Sequence, residues 1–407
     1  MEDLKINFED EKCFIVPPKR VNALNVDALQ RAVEEAFAEN ADVSEIVIDA
    51  AQLEYISSAG LRLLLKLSRR YKEVIVKDVS LEVYDILEST GFTELLTVKK
   101  RLRFIDVSSL EFIGKGGYGN VYKLNEENII KVFFGHKDDD IIKTDLRSAR
   151  AAFVKGIPTV IPFETVMTNE GIGAVYEMIV SDSMAGYIHK NPDKIDYMAR
   201  KYADLAKLMA TTSVKGEEVK NALDKFKNAL DKFKGVLPDE WIDAYNQAVA
   251  LVPERDTAVH GDFHGRNIML QNDELLLIDM DDFGYGHPVL ELAGIVNAYP
   301  GFMRTNPDEE RVLKLLGLSK DEVTLLWNKF SRYYFEGLTK DTIEERMKVA
   351  AMYGGIRTLH IMTTQITPDI PKDSPHFQKA FAVASMIVEN SILPNMELAK
   401  RVLAEWD

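Results

Sequence analysis

Two hydrophobic rhythms alternate along the first hundred residues. Residues 12–17, 43–49 and 73–78 are short apolar runs of strand length, whereas residues 26–40 repeat with the 3.6-residue period of an amphipathic helix. Leu61, Leu64, Leu65 and Leu67 make a second helical face, whose start is expected at Ser58, a good N-cap. A third helix over residues 81–89 is stopped at Gly91. Strands and helices alternating this densely predict an α/β layer with a largely parallel sheet over residues 1–105. Beyond it the rhythm changes. Residues 110–113 and 121–124 read as two strands of a hairpin around GKGGYGNVY, IIKVFF follows as an apolar strand, and a helix is expected over residues 139–155. Residues 175–179 form a further strand, and helical periodicity then dominates. An α+β region therefore follows, with a small β-rich lobe at 106–180 and a helical lobe at 181–407. Within the latter, NALDKFK is repeated at 221–227 and 228–234; the seven-residue period puts Leu223, Phe226, Leu230 and Phe233 on one face of a predicted helix.

The chemistry concentrates between His260 and Asp282, in HGDFHGRNIMLQNDELLLIDMDD. Asp262 precedes Asn267 by five positions, and Asp279 closes an apolar run over residues 275–278. A loop carrying a base and an amide ligand, then a strand delivering a carboxylate, is a phosphoryl-transfer layout. In it Asp262 takes the proton of an attacking hydroxyl, Asn267 and Asp279 hold Mg²⁺, and His260 braces the loop. Asp, Gly and Asn also crowd ordinary turns, so the spacing alone does not decide. Upstream signals add to it. Gly114, Gly116, Gly117 and Gly119 lie in the hairpin with Val121 just after, and Lys131 sits in the middle of an apolar strand, where an ammonium needs a phosphate or acid to meet.

Taken with these residues, the His260–Asp282 segment resembles the catalytic loop of the aminoglycoside phosphotransferase and choline kinase branch of the protein-kinase-like fold. The resemblance implies ATP and Mg²⁺ as cofactors and catalytic roles for Asp262, Asn267, Asp279 and Lys131. It implies a phosphate-covering loop at Gly114, Gly116, Gly117, Gly119 and Val121, and an acidic partner for Lys131 on the following helix, at Asp145. Adenine would bond the backbone of Glu177 and Ile179. Two positions depart from the family's pattern: His287 stands where an Asp is usual after Gly286, and Glu291 stands for an Asp in the next helix, implying altered hydrogen bonding in that brace. The first hundred residues resemble the STAS domain, through Ile48-Asp49, Tyr55-Ile56-Ser57-Ser58 and Gly60-Leu61. That family's antagonists are phosphorylated on a serine at the helix start, by position Ser58; the alternative is that Ser58 is only a cap. Asn22 replaces an acidic residue that often assists this site.

A formal net charge of −15 argues against nucleic acid and anionic membranes as partners, and is compatible with a cationic acceptor. Cys13 is the only cysteine, so no internal disulfide can form. No apolar stretch is long enough to span a membrane and MEDLKINFED lacks the features of a signal peptide, so a cytoplasmic location is expected. Lys99, Lys100, Arg101 and Arg103 read as a basic linker. Tyr299, Phe302, Trp327, Tyr333, Tyr334, Phe335 and Tyr353 offer rings for an acceptor cage or, at helical spacing, for the core, while Asp281 and Asp282 could face a cationic acceptor. Two functions stay open: a kinase acting on a small-molecule hydroxyl, regulated or tethered by a STAS domain that also offers a protein-binding surface, or a signalling kinase acting on Ser58 or another protein. The absence of a long activation segment between Asp279 and Glu291 favours the first.

Overall fold

The computed structural model describes residues 4–38, 43–115, 119–135, 139–216, 219–305 and 308–406. The chain divides into two compact units, Met1–Ile105 with Thr165–Met167, and Asp106–Glu164 with Thr168–Asp407.

In the first unit five strands lie in the order Lys5–Glu9, Lys12–Val16, Glu45–Asp49, Glu73–Val79 and Thr97–Lys100. The outer Lys5–Glu9 strand is antiparallel to its neighbour and the remaining pairs are parallel. The helices Val26–Ala38, Ser58–Arg70 and Leu81–Ser89 turn Leu29, Val33, Leu61, Leu64, Val83 and Leu87 onto Ile15, Ile48 and Val76. Each such side chain stabilises by roughly 1.5–3 kcal/mol through burial. Three local expectations are corrected. Lys5–Glu9 is a strand at the sheet edge, where half-buried alternation without a strong apolar run leaves little signal. Lys99 and Lys100 belong to the last strand and not to a linker; Lys100 holds its ammonium 3.7 Å from the centre of the Tyr84 ring, and the Arg101 guanidinium donates to the carbonyl of Ala51. The helix does begin at Ser58, but its cap is Ser57, whose Oγ accepts from the Ala59 N–H at 3.3 Å while Ser58 stays exposed.

The second unit opens with a lobe whose strands follow the order Gly171–Glu177, Asn128–Phe133, Gly119–Lys123 and Glu111–Lys115. Antiparallel register aligns Gly114, Val121, Lys131 and Ala174 in one row across four of these strands. Opposed residues share a face, so Val121 and Lys131 point the same way. Gly119 has no alternative, because a Cβ there would lie 2.3 Å from the carbonyl oxygen of Val132. Gly116, Gly117 and the side chain of Asp145 lie outside the described residues. The helix Asp139–Val154 packs against the turn Met280–Asp282.

The remainder is helical around one core. Ile195–Thr211, Pro288–Val296, Lys320–Tyr334 and Lys340–Gln365 converge there, with Tyr202 stacked on Phe263 and packed against Phe330 at its centre. The NALDKFK repeat is not one helix. Each copy is a single 3-10 turn, Asp224–Phe226 and Asp231–Phe233, with Phe226, Leu230 and Phe233 buried. Asparagine breaks the helix: the Asn221 side chain accepts the Leu223 N–H at 2.9 Å in place of a backbone carbonyl, and Asn228 adopts a left-handed φ of 56°. The aromatic residues considered for an acceptor cage serve the core; Tyr299, Tyr333, Phe335 and Tyr353 are buried, and the Tyr353 hydroxyl donates to Ala248 O. Among the described residues no helix is long and apolar enough to cross a membrane.

Candidate active site

A tight hairpin brings the acidic and amide groups together. Ile268–Gln271 pairs with Glu274–Leu277, placing Ile268 opposite Leu277. The turn residues Asn272 and Asp273 both have positive φ, 48° and 67°, as a two-residue turn matched to strand twist requires. The ladder ends where Ile278 N–H donates to Asn267 O at 3.0 Å, so Asn267 and Asp279 become neighbours although twelve positions apart. Asp279 adopts φ 63° and ψ 63°, a conformation uncommon outside glycine that often marks functional sites. Its Oδ1 meets Lys131 Nζ at 2.9 Å, and Asp281 lies 3.6 Å from the same ammonium. Lys131 is thereby neutralised in a position only 15% exposed.

Asp262 is tied to Asn267, the hairpin neighbour of Asp279. Asn267 Nδ2 donates to both the carbonyl and Oδ2 of Asp262, each at 3.1 Å. Arg357 reaches its Oδ1 at 3.3 Å and His264 Nε2 its Oδ2 at 3.4 Å. Burial would raise the pKa of Asp262, but the His264 hydrogen bond and charge, with Arg357, outweigh it and hold the carboxyl down at about 2. The group is therefore ionised at any physiological pH. With Nδ2 engaged by Asp262, Oδ1 is the Asn267 atom left to face a cation, and oxygen donors such as it and the Asp279 carboxylate are of the kind that could hold a hard ion such as Mg²⁺.

The loop is braced from behind. His260 is fully buried; its Nδ1 accepts the Asp262 N–H at 3.2 Å and its Nε2 donates to Ile278 O at 3.0 Å. Burial lowers its pKa and keeps it neutral, the form those two bonds need. Glu291 Oε2 accepts the N–H groups of His260 at 2.7 Å and Gly261 at 3.2 Å. The departure from Asp at this position thus keeps its bracing contact with one more methylene. Burial pushes Glu291 up to about 7, against the pull of those two N–H groups. Gly261 itself has φ 84°, and a Cβ there would meet Asp282 Cβ at 2.9 Å. Tyr299, expected as a cage or core ring, braces the loop as well: its hydroxyl accepts the Gly265 N–H at 2.8 Å, and Tyr202 donates to Phe263 O at 2.7 Å. The other departure, His287, caps the helix Pro288–Val296 by accepting the Val289 N–H at 3.1 Å.

Asp262, Asn267, Asp279 and Lys131 therefore converge, with Val121 in the row of Lys131 and Gly114 opposite Val121. Glu177 ends its strand opposite Asn128, and Ile179 follows two residues on, half-buried. Asp281 turns to Lys131, while Asp282 is held by Lys225 at 3.0 Å, so neither is an unopposed acid for a cationic acceptor. Arg357, 95 positions from Asp262, has no local motif that could have announced it.

Residues 5–105 match the family model of the STAS domain, and residues 193–316 match that of the phosphotransferase enzyme family. The chain joins a STAS domain to a phosphotransferase-family region. The second match contains Asp262, Asn267, Asp279 and Glu291 and stops short of Lys131 and Arg357. No curated protein matches the chain. Among solved structures, the chain is similar to a choline/ethanolamine kinase family protein from Mesorhizobium loti, 14% identical over 73% of this chain and 93% of that one, with a TM-score of 0.48. It is similar also to an ADP-bound aminoglycoside phosphotransferase, APH(2'')-Ib, 16% identical over 78% and 98% with a TM-score of 0.45. Amicoumacin kinase hAmiN in complex with AMP-PNP, Ca²⁺ and Ami is 13% identical over 81% and 96%, with a TM-score of 0.46.

Proposed function

We propose that residues 106–407 transfer the γ-phosphoryl group of ATP, with Mg²⁺, to a hydroxyl of a small molecule. The contacts that tie Asn267 to Asp262 and Lys131 to Asp279, with Asn267 and Asp279 set side by side at the end of one hairpin, support this reading. Asn267 and Asp279 would hold the metal, which screens phosphate charge when bound. Lys131 would exchange its Asp279 contact for a phosphate oxygen. Asp262 orients the acceptor hydroxyl: the new bond forms between that oxygen and Pγ, the bond from Pγ to the ADP oxygen breaks, and the proton passes to the Asp262 carboxylate. A carboxyl held at about 2 is a weak base, so the proton moves late, after bond formation has acidified the hydroxyl. The STAS domain is assigned the role of regulator or tether, through a protein partner.

A second reading, transfer to a STAS serine, draws on one observation: Ser57 does the capping and leaves the Ser58 hydroxyl exposed. One experiment separates the two. The full chain is incubated with Mg²⁺ and γ-labelled ATP, alone and with a panel of small hydroxyl compounds, beside Asp262→Asn and Ser58→Ala. Acceptor-dependent label in the small-molecule fraction, reduced at least 100-fold in Asp262→Asn with nucleotide affinity unchanged, supports the proposal. Label on the protein that vanishes in Ser58→Ala supports the second reading. Turnover of Asp262→Asn equal to that of the parent refutes the role of Asp262 in both.

A further inference from the structure

Cations cluster beside Asp262, although the protein as a whole is strongly acidic. Arg357 and His360 sit three residues apart on the helix Lys340–Gln365, which places them on one face. Lys220 and Lys225 come from the segment around the first NALDKFK copy. Arg357 donates to Asp262 Oδ1 at 3.3 Å, Lys225 Nζ meets Asp282 Oδ2 at 3.0 Å, and Lys220 donates to the backbone carbonyl of Asp281 at 3.1 Å. Asp282 in turn lies against Gly261, so the Lys225 ammonium is tied to the residue next to Asp262. His360 stands edge-on to Phe226 with ring centres 5.2 Å apart, and its Nδ1 is inaccessible to water and has no hydrogen-bond partner.

Arg357 and Lys225 thus face the carboxylates of Asp262 and Asp282, with Lys220 against the Asp281 backbone beside them, and the Asp262 carboxylate is needed for the acceptor's hydroxyl. The cations are close enough to oppose one another. Burial first, then Arg357 and Lys220, lower the pKa of Lys225 against the pull of Asp282. His360 is lowered by burial and by Lys225, Arg357 and Lys232, with Asp282 acting the other way. A polycationic acceptor placing a hydroxyl at Asp262 would add positive charge to this cluster. An anionic one would relieve the mutual repulsion and give Lys225 and Arg357 charge-assisted partners.

We propose that the acceptor is an anionic hydroxy compound, whose carboxylate or phosphate is held by Lys225 and Arg357 while its hydroxyl is presented to Asp262. This inference rests on the phosphotransferase reading for its hydroxyl, but the anion site is testable by itself. The anionic group takes no part in bond making; it fixes which hydroxyl lies over Asp262.

The test is calorimetric. The full chain is first titrated with Mg²⁺ and AMP-PNP, and the saturated protein is then titrated with glycerol 3-phosphate, glycerate, choline and kanamycin. The expected result is binding of one or both anions and neither cation, with affinity that falls as salt is raised and falls about 10-fold or more in Lys225→Gln. Lys220→Gln, at an exposed position, should give a smaller loss and serves where Lys225→Gln does not fold. Phosphate binding without glycerate binding would assign a phosphate-bearing acceptor, and the converse a carboxylate. Binding of choline or kanamycin in preference to the anions, anion affinity unchanged in both variants, or no anion binding at all would overturn the proposal. If AMP-PNP itself does not bind, the phosphotransferase reading fails, and the same anion titration on the nucleotide-free chain still decides the anion site.

Discussion

Glu291 braces the loop that carries Asp262, and its burial should make the stability of the second unit depend on pH. It is 6% exposed, its Oε2 accepts the backbone N–H groups of His260 and Gly261, and burial raises its carboxyl from the ordinary 4.5 to about 7. A carboxyl whose folded pKa is raised retains its proton in the native state while the unfolded chain loses it. Stability is therefore highest below pH 4.5 and declines as pH rises towards 7, by about 1.4 kcal/mol per pH unit, or about 3 kcal/mol in total as an upper figure. Glu291→Gln keeps an oxygen for the two N–H groups and cannot ionise. Its amide NH₂ has no acceptor at the Oε1 position, where the native atom is itself unpartnered, so a penalty of about 1–2 kcal/mol applies at every pH. Between pH 5 and pH 8 the stability of the variant relative to the parent should accordingly improve by about 2–3 kcal/mol. Trp241, Trp327 and Trp406 are the protein's three tryptophans, and all lie beyond residue 105, so urea unfolding followed by tryptophan fluorescence reports the second unit alone. Parallel pH profiles for variant and parent over this range would show that Glu291 does not titrate where its burial places it.

Gly261→Ala should destabilise the second unit by more than about 2 kcal/mol, since a left-handed alanine costs about 1–2 kcal/mol and its Cβ would press on Asp282; a change below about 0.5 kcal/mol in the same fluorescence assay would contradict this. Ser57→Ala should lower the stability of the helix Ser58–Arg70 by about 1 kcal/mol and Ser58→Ala by a few tenths at most, read by hydrogen exchange of that helix's amides; equal effects would return the capping role to Ser58. Asp279→Ala should weaken binding of Mg²⁺-nucleotide at least 10-fold and leave Lys131 without its 2.9 Å partner; calorimetry showing unchanged affinity would remove Asp279 from the metal site.

What was legible in the sequence is what local spacing controls. The strand–helix alternation of residues 5–105 follows from side-chain periods of 2 and 3.6, and the Asp262-to-Asn267 loop with its succeeding strand is built by contacts within twenty residues. The tight hairpin that sets Asn267 beside Asp279 needs only the turn residues Asn272 and Asp273 to be able to adopt positive φ. Local rules misled where a few polar side chains outcompete the backbone. The seven-residue repeat has a helical pattern of apolar positions, yet Asn221 and Asn228 divert the chain into two 3-10 turns, and Ser57, one place earlier than expected, caps the helix. The charge of the cleft lay beyond local reading altogether. Net charge is a sum over 407 residues, whereas the field at Asp262 depends on which few side chains are brought within several ångströms. Arg357 reaches Asp262 across 95 residues, and Lys225 reaches Asp282 across 57. Helix packing in the core makes those approaches, because burying Tyr202, Phe263 and Phe330 together fixes the positions of the helices whatever charged residues they carry.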